Sequence, residues 1–294
     1  GVGLYFLFQF FSEKRYLYLI LSGIPFALII GMKLTALFLM PGLGIVVLLA
    51  LLYRKMKFKD LIPLGISFLV TFILGTSIIF CLNWENYQNP LGEPQAVETA
   101  THAVSSVQSA ANQVLMSSSK FIYQFIDPSG LPSPLWRRGL QLKAGAIETI
   151  FSWINIDIED SSYTVANHPF DLERYTLLHE DEAVYGFVGF IAIIPLSLIA
   201  FVIGLRQKNV VLTAPLIMLI TFLFTDTLLR PGWTPYQGRY FIAIALTATP
   251  LLGYFTQSKQ MRWILMPVLS LAACFILVNT MLYNPAKPLK NTPI

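Results

Sequence analysis

The sequence predicts an all-α membrane protein: a polytopic bundle of transmembrane helices carrying one large, partly helical extracytoplasmic loop. Three observations predict it. Hydrophobic residues make up 55% of the 294 and charged residues only 12%, about half the charged share of an ordinary soluble domain. Mean hydropathy is +0.63. The apolar residues also gather into long runs, with basic residues clustered at every second junction between runs. Folding such a chain in water would leave apolar faces with nothing to cover them, so lipid is its solvent.

A helix crossing the hydrocarbon core needs about 20 predominantly apolar residues. Seven segments approach that scale: Leu17–Met32, Leu34–Tyr53, Leu61–Leu82, Val184–Leu205, Val210–Thr225, Tyr240–Phe255 and Trp263–Tyr283. Gly1–Phe11 reads as the tail of an earlier span, which predicts that the chain continues upstream. In lipid each segment must be helical, because an unpaired backbone amide there costs several kcal/mol.

Charge orients the spans. Lys14 and Arg15 precede the first full span, and Arg54, Lys55, Lys57 and Lys59 follow the second. Arg206 and Lys208 follow the fourth, and Lys259 and Arg262 the sixth. Basic residues favour the cytoplasmic side, which places the other junctions outside. The chain then divides into N-terminal spans (1–82), an extracytoplasmic loop (83–183), C-terminal spans (184–283) and an outer tail (284–294). The loop holds thirteen acidic residues against five basic ones, as a translocated segment should. The membrane expected is a bacterial inner membrane, with lipids as the first partners.

Inside the loop, 96–126 is free of Gly and Pro and predicts a helix, and the Pro-rich stretch 127–134 predicts a break. Trp136–Ile154 interleaves Arg137, Arg138 and Lys143 with Leu140, Leu142, Ile147, Ile150, Phe151 and Trp153. That spacing suits an amphipathic helix on the membrane surface, or an ordinary helix packed on the loop.

Few residues carry candidate chemistry. Lys33 is the only charge between Arg15 and Arg54. At the outer interface its ammonium could hold a lipid-linked phosphate, or simply snorkel to mark a helix end. Arg230 and Arg239 flank a loop broken by Pro and Gly, and arginine's planar fork suits phosphate oxygens. Trp233, Tyr236 and Tyr240 add aromatic surface there, which is also how an interfacial belt reads. His179, Glu180, Asp181 and Glu182 precede a span; they could hold a divalent cation, or form a solvated acidic helix start. Cys81 and Cys274 lie in apolar runs and suggest packing, not a disulfide framework. Dinucleotide, P-loop, HExxH and CxxC motifs are absent, and no basic patch suits nucleic acid.

The phrases Asn83-Trp-Glu-Asn-Tyr-Gln-Asn-Pro-Leu91 and Pro235-Tyr-Gln-Gly-Arg-Tyr-Phe241, with the segments around Lys33 and His179, together resemble the GT-C fold of polytopic membrane glycosyltransferases, especially the bacterial dolichyl-phosphate-mannose and aminoarabinose transferase-like group. The loop start Asn83-Trp-Glu-Asn-Tyr-Gln-Asn-Pro-Leu91 resembles that group's N-x-x-x-x-G-N-P-L, with Gln88 where the glycine stands. The helix end Ile29-Ile-Gly-Met-Lys-Leu-Thr-Ala-Leu-Phe38, His179-Glu-Asp-Glu-Ala183 and the Pro235-Tyr-Gln-Gly-Arg-Tyr-Phe241 element are similar to phrases of the same group. The resemblance spans most of the chain through short phrases. It implies sugar transfer from a polyprenyl-phosphate donor to an acceptor on the extracytoplasmic face, with Lys33, Arg230, Arg239 and Tyr240 around the donor phosphate. In that group the catalytic carboxylate sits in the first outer loop, which has no counterpart before Leu17, so no catalytic residue follows from it. Two other classes stay open from the residues alone. A non-catalytic scaffold fits the large outer loop, and a transporter fits the bundle, though its spans lack mid-depth charge and a repeat.

Overall fold

The computed structural model describes residues 1–32, 34–94, 106–128, 131, 133–154, 156–165, 169–172, 186–230 and 232–283. Among them the regular structure is helical, and the nearest approach to a sheet is a lone bridge between Thr164 and Trp233. In chain order come α1 (Val2–Glu13), α2 (Tyr16–Met32), a 3₁₀ stretch Leu34–Leu39 leading into α3 (Met40–Leu52), and α4 (Phe58–Tyr87). Then follow α5 (Val107–Phe125), α6 (Ser133–Trp153), α7 (Gly186–Gln207), α8 (Val210–Leu229), α9 (Ile242–Phe255) and α10 (Lys259–Tyr283).

Five of these stretches are long and apolar enough to cross a membrane: Thr35–Leu52, Phe58–Tyr87, Gly186–Gln207, Val210–Leu229 and Lys259–Val278. Their outward faces are apolar, as contact with lipid requires. Leu74 on α4 is 80% exposed and Leu271 on α10 is 72% exposed, which in water would be an aggregation surface. The chain is an all-α integral membrane protein. Two of the seven expected spans, Leu17–Met32 and Tyr240–Phe255, correspond to shorter apolar helices. In the second case the first residues are taken by a 3₁₀ turn, Pro235–Phe241. At Val210–Thr225 the helix runs further than expected, to Leu229, and so carries Asp226 in its last turn.

The chain forms two compact units, residues 1–103 with 200–230 and residues 104–199 with 231–294. The sequence divides the chain by side of the membrane, whereas packing divides it by contact, so the two sets of boundaries differ.

In the first unit, small residues let helix backbones touch, as lipid-embedded interfaces favour. The Ser22 hydroxyl on α2 donates to the Gly3 carbonyl of α1 at 2.8 Å. From α4, Ser67 donates to the Ile20 carbonyl at 2.6 Å and Thr76 to the Ala27 carbonyl at 2.9 Å. Between those two bonds lies Gly23, where a Cβ would stand 2.8 Å from both the Leu64 carbonyl oxygen and the Phe68 nitrogen. Only a glycine fits there. Tight turns at Lys14, Arg54 and Lys208, all with positive φ, close successive helices. Asn209 then caps α8, its side-chain oxygen accepting from the Val211 amide.

Gly23→Leu should push α4 off α2 and lower the melting temperature of the detergent-solubilised protein, as overpacking costs about 1–3 kcal/mol. Gly44→Leu on α3, where a side chain meets open space, should leave it unchanged. Equal melting temperatures for the two variants would refute the close contact.

Candidate functional site

In the second unit α5 is amphipathic and packs polar as well as apolar groups inward. Its start is capped by Ser106, whose hydroxyl accepts from the Ser109 amide. Gln113, Ser117, Lys120, Phe121 and Gln124 are all buried. Gln124 is a hub: its Nε2 donates to the Pro235 carbonyl at 3.0 Å, and its Oε1 accepts from Trp233 Nε1 at 3.2 Å. Phe121 and Phe125 meet Phe241, with ring centroids 5.1 and 5.0 Å apart.

The segment that α5 grips is itself tightly built. Thr234 and Gln237 form a capping box around the 3₁₀ turn, and Gln237 also donates to the Gly232 carbonyl. Trp233 exchanges backbone bonds with the strand-like stretch beside it: its amide donates to the Tyr163 carbonyl and its carbonyl accepts from the Val165 amide, both at 3.0 Å. Phe170 packs edge-on against the Trp233 ring, with centroids 4.9 Å apart.

Two lysines are buried in this module. Lys120 Nζ donates to the Asp160 carbonyl at 2.8 Å and lies 5.7 Å from the Phe170 ring centre. Lys143 Nζ on α6 donates to the Tyr123 carbonyl at 3.3 Å and sits 3.6 Å from the Tyr123 ring centre. Burial lowers both ammonium groups to about 8, against the pull of Asp160 and Asp157 on Lys120 and of Asp127 on Lys143. Burial raises the Tyr123 phenol, helped by Asp171 and Glu159, and its hydroxyl donates to the Leu172 carbonyl. The Asp160 carboxyl is lowered, chiefly by the Ser162 amide and hydroxyl.

Beside the lysines opens a cleft of about 820 Å³, lined by Leu140, Gln141, Ala144, Gly145 and Glu148 of α6 and by Glu159, Phe170, Asp171 and Leu172. Glu159 is positioned by the Leu172 amide, which donates to its Oε1 at 2.8 Å. An ionised carboxylate can only accept, whereas glutamine both donates and accepts. The wall therefore presents carboxylates at Glu148, Glu159 and Asp171 and an amide at Gln141. The volume lies within the range of small-molecule sites.

The residues expected from the sequence fall in different places. Lys33 and His179, Glu180, Asp181 and Glu182 lie outside the described residues. Arg230 belongs to the first unit, where its Nε is 2.8 Å from Asp226 Oδ1 and its guanidinium lies 5.8 Å from the Phe38 ring centre. An anion there would compete with a fully buried carboxylate. Arg239 and Tyr240 belong to the second unit, at the end of the 3₁₀ turn; Arg239 is exposed, its guanidinium 5.5 Å from the Tyr240 ring centre. Among the described residues no group of His, Cys, Asp and Glu is arranged to hold a metal ion. Cys81 and Cys274 are exposed on apolar helices instead of packed inside.

Sequence reasoning missed Lys120, Lys143, Asp226 and the cleft. The available signal was the loop's acidic excess and the polar residues on the apolar face of α5. Compared with protein-family models, curated proteins and solved structures, the chain matches none.

An unfolded lysine titrates near 10.4, so between about pH 8 and that value the unfolded chain holds protons that the folded one has released. Stability therefore climbs as pH rises through this window, and the burial penalty is present in full below it. Lys120→Met should flatten the climb in melting temperature over that range, and an unchanged slope would count against a buried, titrating Lys120. In the first unit, Asp226→Ala should destabilise by about 3–5 kcal/mol by stranding Arg230, and Asp226→Leu combined with Arg230→Met should recover most of it. Thermal unfolding in detergent checks both.

Proposed function

We propose that the protein is a GT-C-like membrane glycosyltransferase that moves a sugar from a polyprenyl-phosphate donor to an acceptor on the extracytoplasmic face of a bacterial inner membrane. The observation that carries this reading is the cleft on α6. Its size suits one or two sugar rings, and its carboxylates and Gln141 suit their hydroxyl or amino groups. An all-helical membrane bundle bearing a folded loop module of this kind also agrees with the phrases that resemble the GT-C group.

On this reading the sugar docks between Glu148, Glu159 and Phe170. Lys33 and Arg239 are the cations proposed for the departing lipid phosphate, and Tyr240 lies beside Arg239. Charge placed in advance where negative charge develops is the usual main source of rate enhancement. Arg230 is the weaker helper, because Asp226 already holds its charge. The acidic stretch His179–Glu182 would be the place for a divalent cation, should transfer need one. A scaffold or a transporter is the alternative; a scaffold needs no sugar-sized pocket, and a transporter's substrate site is expected near the bilayer midplane among its spans, not on a loop helix.

The test is sugar transfer in membranes containing the protein, supplied with radiolabelled polyprenyl-phosphate sugars, with and without chelator. Lys33→Ala and Arg239→Ala should abolish transfer without affecting insertion. Glu148→Gln should weaken saturable sugar binding by about tenfold, the worth of one hydrogen bond to a charged group. No transfer from any donor by the inserted protein would overturn the enzyme reading, and normal turnover in both cation variants would remove the clamp.

A further inference from the structure

Helix α6 has three faces, and the cleft and the module core account for two of them. Leu140 and Ile147 point into the core and are buried. Gln141, Ala144 and Glu148 line the cleft. The third face carries Leu135, Leu142, Ala146, Ile150 and Trp153, whose spacings of seven, four, four and three residues keep them on one stripe of a helix. Leu142 is 69% exposed and Trp153 79% exposed. Arg138, also exposed, falls on the edge of the same stripe.

We infer that this stripe rests on the membrane surface, with Leu135, Leu142, Ile150 and Trp153 inserted at the level between headgroups and acyl chains and Arg138 against lipid phosphates.

Three features of α6 select lipid as the occupant. The first is the chemistry of the face: large aliphatic residues, a terminal tryptophan and a flanking arginine are what an interfacial helix presents to a bilayer. The second is complementarity, since the charge bordering the stripe is positive and the phosphates of anionic lipids are negative. The third is tethering. The segment holding α6 runs between membrane-crossing helices that end at Tyr87 and begin at Gly186, so the bilayer is held at high effective concentration beside α6. Even modest affinity then suffices to keep the stripe covered. Because the cleft lies on another face of the same helix, about 10 Å across, docking would hold the cleft's rim close to the headgroups. The inference stands whether or not the cleft takes a sugar.

Spin labels placed one at a time in a Cys81→Ser, Cys274→Ser background would test it, in nanodiscs of mixed phosphatidylcholine and phosphatidylglycerol. Labels at Leu142→Cys and Trp153→Cys should collide several-fold more readily with oxygen than with a water-soluble nickel chelate. Labels at Gln141→Cys and Glu148→Cys should show the reverse. These positions are exposed, so the labels leave the buried face intact. Nickel collision at positions 142 and 153 equal to that at 148 would overturn the inference. So would shielding of both from oxygen and nickel alike, which would mean that protein covers the stripe. Since the readout needs no ligand, failure of the sugar-transfer reading leaves it untouched.

Discussion

The second unit depends on one glutamine. Gln124 satisfies the Trp233 indole and the Pro235 carbonyl together, joining residues more than a hundred positions apart. Buried polar groups that lose such partners cost about 1–3 kcal/mol each, so the amide selects one arrangement of α5 against the segment 232–241. The Phe121, Phe125 and Phe241 rings fill the space around it with non-directional contact. Apolar packing supplies the adhesion and the amide supplies the register. Trp233 then passes the constraint on, to Phe170 through its ring and to the 163–165 stretch through its backbone. The wall of the cleft and the turn bearing Arg239 and Tyr240 thus hang from the same contact.

Solvent explains why the spans of the first unit and the loop module of the second solve packing differently. Helices in hydrocarbon gain little from burying apolar side chains, so the first unit relies on close backbone approach at Gly23 and on Ser22, Ser67 and Thr76 donating across helix pairs. The loop module has an aromatic core of the kind water drives together. Helix α6 combines both regimes, with one face in that core, one on a polar cleft and one exposed and apolar.

Electrostatics in the molecule follow burial more than formal charge. Arg230 is held by Asp226 at the end of a span, where neither charge could be left alone. Lys120 and Lys143 have carbonyl and ring partners instead of direct carboxylate ones, which is why burial dominates and their protons are loosely held. Arg239, by contrast, is exposed, with its guanidinium 5.5 Å from the Tyr240 ring centre.

Composition and the length of apolar runs were enough to determine an all-helical membrane protein, because the bilayer admits so few backbone solutions. The helix in 96–126 and the amphipathic helix near Trp136–Ile154 were equally legible, since periodicity is a local property and survives in α5 and α6. Span ends were less so: nothing local tells that Tyr240 continues a 3₁₀ turn or that Asp226 stays helical, as both depend on what packs beside them. The candidate site was the least legible. Lys120, Lys143, Glu148 and Glu159 are unremarkable charges in the sequence, and only tertiary contacts decide which two are stripped of water and which two line a cleft. Sequence determined which solvent each stretch would meet, because that is set by its own side chains. Tertiary structure decided which polar groups would meet one another, because their partners lie tens of residues away.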